Sequence, residues 1–264
     1  MSKSAWIKSV KGLLIDISGV LHEAGTDHAM FGAIEALTKL RQAKVPYLLC
    51  TNETSLDSRS FITKLNDLGL NVTMDDIQAP APLTCRYLKD NNLRPFLLIR
   101  PELRADFEGL NENDPNAVVI GDAVDAFSFE NLNKAFRLLI GNPQCEFIAM
   151  GRTKYYQKNG ELVLDLGVYV AALECAVERE AKVIGKPAKE YFHTALRKLH
   201  LESNQVAMVG DDILSDIGGA QKAGLRGVLV RSGKYRAERD ENHATVKPDL
   251  ICNNLLEFVN MILT

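Results

Sequence analysis

Four short apolar runs, each followed by polar residues, constrain this chain more than any other feature of its sequence. They lie at residues 12–17, 45–51, 206–209 and 227–230. Apolar runs of this length, with little alternating polarity, are typical of strands that are buried on both faces. Helical patterns separate them, so that strand and helix alternate towards both ends of the chain. This order predicts an α/β, Rossmann-like fold with a parallel sheet and right-handed crossovers.

The helices of this pattern show start and stop signals. Predicted helices cover residues 58–68, 190–199, 214–223 and 255–263. Asp57 stands at the N-cap position of the first of them, and Gly69 stands where a C-terminal glycine is preferred. These signals support the alternation of strand and helix independently of the apolar runs.

The middle of the chain has the pattern of a second α/β unit. Its predicted elements are strands at 95–99, 117–120 and 146–150, a helix at 129–140, and a hairpin at 154–164 that turns at Asn159-Gly160. Because Thr51 and Lys186 are 135 residues apart, one crossover cannot connect their strands. We therefore predict a core domain of residues 1–94 and 183–264 and an inserted domain of residues 95–182.

Composition excludes several classes of protein. The chain has 264 residues, of which 46% are hydrophobic and 25% are charged, as in ordinary globular domains. With a net charge of −3, it has no general positive field for a nucleic acid or an anionic membrane, and we expect neither as a partner. We find no apolar run of membrane-spanning length and no apolar core of a secretion signal near the N-terminus. The five cysteines form no Cys-x-x-Cys pair, which favours reduced thiols in the cytosol and disfavours a zinc site.

Four polar segments follow predicted strands directly. They are Asp16-Ile17-Ser18-Gly19, Thr51-Asn52, Gly185-Lys186-Pro187, and Gly210-Asp211-Asp212 with Asp216. Ligands of open parallel sheets bind beyond the carboxyl ends of the strands, so these segments are expected to converge on one site. Taken singly, each segment is ordinary: a turn, an N-cap or a surface lysine. Their order and spacing favour a common function.

The residue types match a magnesium-dependent phosphoryl-transfer site. Mg²⁺ prefers hard oxygen ligands, which the carboxylates of Asp16 and Asp211 and the carbonyl of Ser18 would supply. Lys186 would offset phosphoryl charge, and Thr51 and Asn52 would hold phosphoryl oxygens. An aspartate can also attack phosphorus directly and form an aspartyl-phosphate that water hydrolyses.

The four segments resemble, in order, the motifs of the haloacid dehalogenase-like superfamily. The first motif is Asp16-Ile17-Ser18-Gly19-Val20-Leu21, and the second contains Thr51 in Leu49-Cys50-Thr51-Asn52. Lys186 matches the third motif, and Gly210 to Asp216 match the fourth. The middle unit resembles the α/β cap of the nitrophenylphosphatase-like branch. The resemblance implies that Asp16 is the nucleophile.

The resemblance also implies a role for each remaining motif residue. Substrate would contact Asp16, Ile17, Ser18, Thr51, Asn52 and Lys186. Mg²⁺ would be held by Asp16, Ser18 and Asp211, with Asp212 or Asp216 supporting the metal from behind these ligands. The cap would exclude water and choose the substrate.

Further segments resemble a subfamily of that branch. They are residues 14–21, 50–53, 79–82, 94–99 and 185–187. The resemblance implies hydrolysis of P–N bonds, as in phosphohistidine, phospholysine and imidodiphosphate, and of pyrophosphate. It further implies a homodimer located in the cytoplasm and also the nucleus. The substrates would be phosphorylated small molecules or proteins carrying phosphohistidine or phospholysine.

Ser18 departs from the superfamily pattern, which has an aspartate there as general acid and base. A serine cannot protonate a leaving alkoxide well. A phosphoramidate nitrogen can be protonated beforehand, and imidazole leaves with an intrinsic pKa of about 6.5. The loose transition state of phosphoryl transfer makes leaving-group quality important. We therefore expect Ser18 to favour P–N and P–O–P substrates.

Two other functions fit the same residues. One is a sugar-phosphate or nucleotide phosphatase, against which Ser18 argues. The other is a non-catalytic phosphate-binding scaffold, against which the presence of Asp16, Lys186 and Asp211 together argues. Glu53 and His22 lie near motif residues without an assigned role. Asp122 is interpreted as a loop or cap residue, and the stretch before Lys234 does not match a Walker A loop.

Overall fold

A six-stranded, entirely parallel sheet forms the centre of the molecule, and its strands in sheet order are Leu250–Cys252, Arg226–Val230, Val206–Gly210, Gly12–Asp16, Tyr47–Cys50 and Ile77–Gln78. The computed structural model describes residues 5–23, 26, 28–158 and 161–264. The strands are β1 (Gly12–Asp16), β2 (Tyr47–Cys50), β3 (Ile77–Gln78), β4 (Pro95–Leu98), β5 (Ala117–Ile120), β6 (Glu146–Ala149), β7 (Tyr155–Lys158), β8 (Glu161–Leu164), β9 (Lys182–Val183), β10 (Val206–Gly210), β11 (Arg226–Val230) and β12 (Leu250–Cys252). The predicted α/β class with a parallel-sheet core is confirmed.

Helices cover both faces of this sheet. The helices are α1 (Ala33–Gln42), α2 (Ser58–Asp67), α3 (Pro80–Asp90), α4 (Phe129–Gly141), α5 (Leu166–Val177), α6 (Lys189–Leu199), α7 (Gly219–Lys222), α8 (Ala237–Asp240) and α9 (Leu255–Leu263). On one face, α1, α2 and α9 pack against Leu13 and Ile15. On the other face, α6 and α7 pack against Leu14 and Met208. Strand β1 is therefore buried on both sides, as its unbroken apolar run predicts.

The predicted signals at the ends of α2 are confirmed. The Asp57 side chain accepts hydrogen bonds from the backbone N–H groups of Arg59 and Ser60. Gly69 follows the helix with a φ of +81°, a left-handed conformation that glycine adopts without steric cost. Helix α9 begins and ends at the predicted residues.

The helix predicted over residues 214–223 has a different form. A π-helix occupies Ile213–Gly218, and the α-helical part is reduced to α7. The backbone N–H of Ile217 donates to the carbonyl of Asp212, five residues earlier, at 3.2 Å. The wide turn lets the Asp216 side chain reach back, so that Oδ2 accepts a hydrogen bond from the Asp212 backbone at 3.1 Å. Periodicity alone does not distinguish this turn from a regular α-helix.

A second parallel sheet, in the order β4-β5-β6-β9, is built from the middle of the chain. Helices α4 and α5 pack on one face, against Val118 and Ile120. Helix α3 packs on the other face, against Leu97, although it lies before residue 94. Strands β4, β5 and β6 of the predicted inserted domain thus share a packed core with α3. The division at 94 and 183 stays a prediction.

The predicted hairpin is present as the antiparallel pair β7-β8. Its predicted turn, Asn159-Gly160, lies outside the described residues. Sequence analysis did not identify α3, β3 or β12, because two of these are very short strands and α3 begins with two prolines among its first three residues. Among the helices that the structure describes, none combines the length and apolar character needed to cross a bilayer.

Candidate active site

The carboxyl ends of the two parallel sheets face a common cavity of about 570 Å³. Asp16, Thr51 and Asp211 lie at or just beyond the ends of β1, β2 and β10, which are neighbours in the central sheet. Lys186 and Asp216 line the same cavity. The structure therefore brings the four predicted polar segments together, as expected for strand ends at one edge of a sheet.

Lys186 is buried and lies between two carboxylates. Its Nζ is 2.6 Å from Oδ1 of Asp16 and 2.7 Å from Oδ1 of Asp216, and it donates to the carbonyl of Cys50 at 3.0 Å. Burial lowers the pKa of Lys186, but the two carboxylates outweigh burial, so that the pKa lies above that of a free lysine. Lys186 is therefore charged at every pH at which the protein would be assayed.

Three buried carboxylates form the acidic triad of this site: Asp16, Asp211 and Asp216. One oxygen of each lies within 4.8 Å of the others. Burial and the charge of Asp16 raise the pKa values of Asp211 and Asp216. Oδ1 of Asp211 is buried and accepts no hydrogen bond from any described residue. An orphaned buried oxygen beside two further carboxylates is the donor set that a hard divalent cation prefers, so the residues fit Mg²⁺.

Asp212, the other residue predicted to support a metal, lines the same cavity but does not belong to the acidic triad. Its Oδ1 accepts hydrogen bonds from the backbone of Leu214 and Ser215, both at 3.0 Å. Its Oδ2 lies 3.1 Å from Nζ of Lys234. These contacts, above all the charge of Lys234, hold the pKa of Asp212 below its usual value although burial opposes them. Asp212 thus orients the loop, and Asp216 is the acid that reaches the site.

The second oxygen of Asp211 is enclosed by backbone. Oδ2 accepts a hydrogen bond from the Lys234 N–H at 2.6 Å. A Cβ on Gly19 or Gly233 would lie 2.2 or 2.0 Å from this oxygen, and both glycines have positive φ angles. Sequence analysis missed these contacts. One feature of the sequence could have indicated them: residues 232–235 follow the apolar run at 227–230, just as the four polar segments of the site follow predicted strands.

Asn52 uses its side chain to hold Lys186. Its Nδ2 donates to the Lys186 carbonyl, and its Oδ1 accepts from the Lys186 backbone N–H, both at 2.8 Å. Both polar atoms of the Asn52 side chain are therefore occupied, and the predicted contact with a phosphoryl oxygen could use only the backbone N–H of Asn52. The Thr51 hydroxyl accepts from the Glu53 N–H at 2.9 Å and keeps its own hydrogen to donate.

Two predicted substrate contacts differ in position. Ile17 has a fully buried side chain within the apolar core, so that only its backbone can face the cavity. Ser18 lines the cavity, and its hydroxyl lies 3.5 Å from Nε2 of His22. Nδ1 of His22 lies 3.0 Å from the Glu23 carbonyl, and burial lowers the pKa of His22. The imidazole of His22, whose neutral form burial favours, thus lies beside Ser18.

Four side chains of the middle unit form the opposite side of the cavity, here called the cap wall: Arg100, Asp122, Tyr156 and Asp165. Arg100 and Asp122 form a half-buried ion pair, with nitrogen–oxygen distances of 2.5 and 2.8 Å. Burial raises the pKa of Asp165 to about 6, and the charge of Asp122 adds to this shift. The interpretation of Asp122 as a loop or cap residue did not predict that Asp122 lines the cavity. Arg100 and Asp122 each lie two residues beyond the end of a strand, and this position in the sequence could have indicated that they line the cavity.

Family models match both ends of the chain. One described as haloacid dehalogenase-like hydrolase matches residues 13–112, and one described as HAD-hydrolase-like matches residues 183–258. These two regions contain the four motifs on which the resemblance was based.

Known proteins match almost the whole chain. Rat phospholysine phosphohistidine inorganic pyrophosphate phosphatase is 41% identical, with 98% of each chain covered. Human haloacid dehalogenase-like hydrolase domain-containing protein 2 is 39% identical, with 97% of each covered. Among solved structures, 4-nitrophenylphosphatase from Thermotoga maritima is 26% identical with a TM-score of 0.87, covering 97% of this chain and 98% of that one. The predicted family resemblance is confirmed.

Proposed function

Because the chain belongs to the haloacid dehalogenase-like hydrolase family and is a phosphatase, we propose that it hydrolyses P–N bonds and pyrophosphate through an aspartyl-phosphate on Asp16. The observation that carries this proposal is the arrangement of Lys186 against Asp16 beside the acidic triad. A non-catalytic scaffold does not require a buried lysine and three buried carboxylates in mutual contact, since such a cluster is costly to bury.

Asp16 has one oxygen free for attack. Lys186 contacts Oδ1, whereas Oδ2 accepts no hydrogen bond from the described residues. In the first step, Oδ2 forms a bond to phosphorus while the bond from phosphorus to the leaving group breaks. In the second step, water adds to phosphorus, the Asp16–phosphorus bond breaks, and inorganic phosphate is released. The Lys186 ammonium, 2.6 Å from Oδ1, orients the Asp16 carboxylate for the first step.

The other motif residues would bind the phosphoryl group and Mg²⁺. The Thr51 hydroxyl and the backbone N–H groups of Asn52, Ile17 and Ser18 would donate to phosphoryl oxygens. Mg²⁺ would be held by Asp16, Asp211 and the Ser18 carbonyl, with Asp216 beside them and Asp212 holding Asp216. When bound, Mg²⁺ would offset negative charge on the phosphoryl oxygens.

Ser18 supports the choice of P–N and P–O–P substrates. It cannot give a proton to a poor alkoxide leaving group, whereas an amine, an imidazole or a phosphate leaves without that help. The relative named for phospholysine, phosphohistidine and inorganic pyrophosphate is similar over nearly the full chain, and its name agrees with this inference.

The resemblance also carries proposals about assembly and location. We infer a homodimer that acts in the cytoplasm and also in the nucleus. All five cysteines are free, four of them buried, which suits a reducing compartment.

Phosphate release tests the proposed function. The panel contains imidodiphosphate, pyrophosphate, phosphohistidine, phospholysine and a sugar phosphate, each with and without Mg²⁺. We expect turnover of the first four only, and its loss in Asp16→Asn. Asp125→Asn, an exposed cap acid, is the matched control and should stay active.

Two other outcomes identify the competing functions. Efficient sugar-phosphate turnover would favour a small-molecule phosphatase and contradict the role given to Ser18. Binding of phosphate without turnover of any panel member would favour the scaffold.

A further inference from the structure

The cap wall has one carboxylate more than it has cations. On the catalytic side, Lys186 contacts Asp16 and Asp216, and Lys234 contacts Asp212. On the cap wall, Arg100 is paired with Asp122 and adds no net charge. The carboxylate of Asp165 has no cationic partner within 4 Å among the described residues. The cap wall is therefore anionic.

Glu53 adds a second carboxylate to the lining of this cavity. It lines the same cavity, and its Oε1 accepts a hydrogen bond from the Ser55 N–H at 2.6 Å. Burial raises the pKa of Asp165, the charges of Asp122 and Glu53 add to this shift, and the charge of Lys234 opposes it. Among the described residues that line the cavity, the remaining cation is Lys64, whose charge acts on His22.

Asp165 has an oxygen available to a ligand. As the N-cap of α5, it accepts a hydrogen bond from the Leu166 N–H at 2.6 Å through Oδ1. Oδ2 accepts none from the residues that the structure describes. An N-cap needs only one acceptor, so capping leaves the second oxygen of this carboxylate free.

We propose that Asp165, together with Glu53, binds the nitrogen of an amine leaving group, so that the enzyme prefers phospholysine-type substrates to pyrophosphate. This proposal rests on the proposed P–N phosphatase activity. A protonated nitrogen presents N–H donors to a carboxylate, an arrangement that is stronger than a neutral hydrogen bond. Pyrophosphate would instead place an anionic phosphate against Asp165 and Glu53.

Inhibition by a small amine measures this recognition directly. The probe is n-butylamine, which is protonated near neutral pH like a lysine side chain, and n-butanol is its uncharged control. The assay uses whichever panel substrate the wild type hydrolyses fastest. We expect competitive inhibition by n-butylammonium, little by n-butanol, and an inhibition constant about tenfold higher in Asp165→Asn.

The choice of variants separates recognition from folding. Asparagine is as good an N-cap as aspartate, so Asp165→Asn should retain α5 and the wild-type melting temperature. Asp125→Asn, also in the cap, should leave inhibition unchanged. Equal inhibition of the wild type and Asp165→Asn by n-butylammonium, or equal inhibition by n-butanol, would overturn the proposal.

The pH dependence gives a second readout. Asp165 is protonated below about pH 6 and ionised above it, whereas n-butylamine remains a cation throughout. Inhibition of the wild type should weaken as pH falls through about 6, and this change should be absent in Asp165→Asn. The comparison between the two enzymes cancels titration of the charged groups that act on Asp165, which are Asp122, Glu53 and Lys234, and of Tyr156 and Arg100, which line the same cavity.

Substrate kinetics complete the test. In Asp165→Asn, the KM for phospholysine should rise about tenfold, and the KM for pyrophosphate should stay the same or fall. An equal change in the KM values for phospholysine and pyrophosphate would contradict the proposal. If the wild type cleaves only phosphate esters, the proposed P–N activity fails, while the amine inhibition still reports on Asp165.

Discussion

At the scale of single residues, the site depends on groups that hold other groups in place. Asn52 forms two hydrogen bonds with the backbone of Lys186, 134 residues further along the chain. The Lys186 ammonium then contacts Asp16 and Asp216. Asn52 thus positions the lysine that contacts Asp16, the proposed nucleophile, so loss of the Asn52 side chain would alter the position of the lysine first.

Ser18 is the residue at which the chemistry is most open to change. We expect Ser18→Asp to raise kcat/KM for p-nitrophenyl phosphate or a sugar phosphate at least tenfold, because a general acid can then protonate the leaving oxygen. Phosphate release at pH 6–7 measures this gain. Ser18→Asn supplies a side chain of similar size without the acid. An equal gain in Ser18→Asn, or no gain in Ser18→Asp, would show that the missing acid does not set substrate choice.

At the scale of secondary structure, the π-helix at Ile213–Gly218 determines which acid enters the site. Asp211 and Asp212 are adjacent, yet only Asp211 belongs to the acidic triad. Asp212 begins the π-helix as its N-cap, and the wide turn returns Asp216 to the triad in its place. A π-turn at a functional site is a recurrent use of this rare element.

The N-cap of α2 offers a test of an element apart from the chemistry. Asp57→Ala removes the acceptor for the N–H groups of Arg59 and Ser60, and we expect a loss of about 1 kcal/mol in the free energy of unfolding. Urea denaturation followed by circular dichroism measures it. Asp57→Asn keeps an acceptor and should remain within a few tenths of a kcal/mol of the wild type. A similar loss in both variants would mean that the carboxylate acts through another contact.

At the scale of the whole molecule, the cavity exists because two parallel sheets present their carboxyl ends to each other. Several contacts connect the two units beside it. Ser58 of α2 donates to Asp106 at 2.7 Å, and Arg239 of α8 donates to the Tyr155 hydroxyl of the hairpin. The catalytic groups and the cap wall thus come from opposite sides of one enclosed volume.

We predict that the acidic triad makes overall stability depend on a divalent cation. Three buried carboxylates and one lysine leave a net negative charge, so binding of Mg²⁺ to the folded state alone should stabilise it. At a concentration of one hundred times Kd, the gain is about 2.7 kcal/mol, which corresponds to a rise of about 5–10 °C in Tm for a protein of this size.

Calorimetry with and without Mg²⁺ measures this rise. Asp211→Asn should lose most of the Mg²⁺ effect, and in EDTA it should melt no lower than the wild type because a repulsive buried charge is gone. An Mg²⁺ shift as large in Asp211→Asn as in the wild type would place the cation elsewhere.

The sequence by itself determined the α/β class, the family, and most strands that carry the site. It also identified Asp16, Thr51, Lys186 and Asp211 as residues at strand ends. These features depend on short apolar runs and on the residue that follows each, so that a window of ten to twenty residues contains the necessary information.

Only the tertiary structure decided which side chains complete the site. In the folded protein, Asp216 belongs to the acidic triad, and the Asn52 side chain is hydrogen-bonded to the Lys186 backbone. The cavity is also lined by Arg100, Asp122 and Asp165. No local pattern contains these contacts, because each depends on how distant segments pack and on which turn a helix adopts. Charge and burial at the site therefore follow from the fold as a whole.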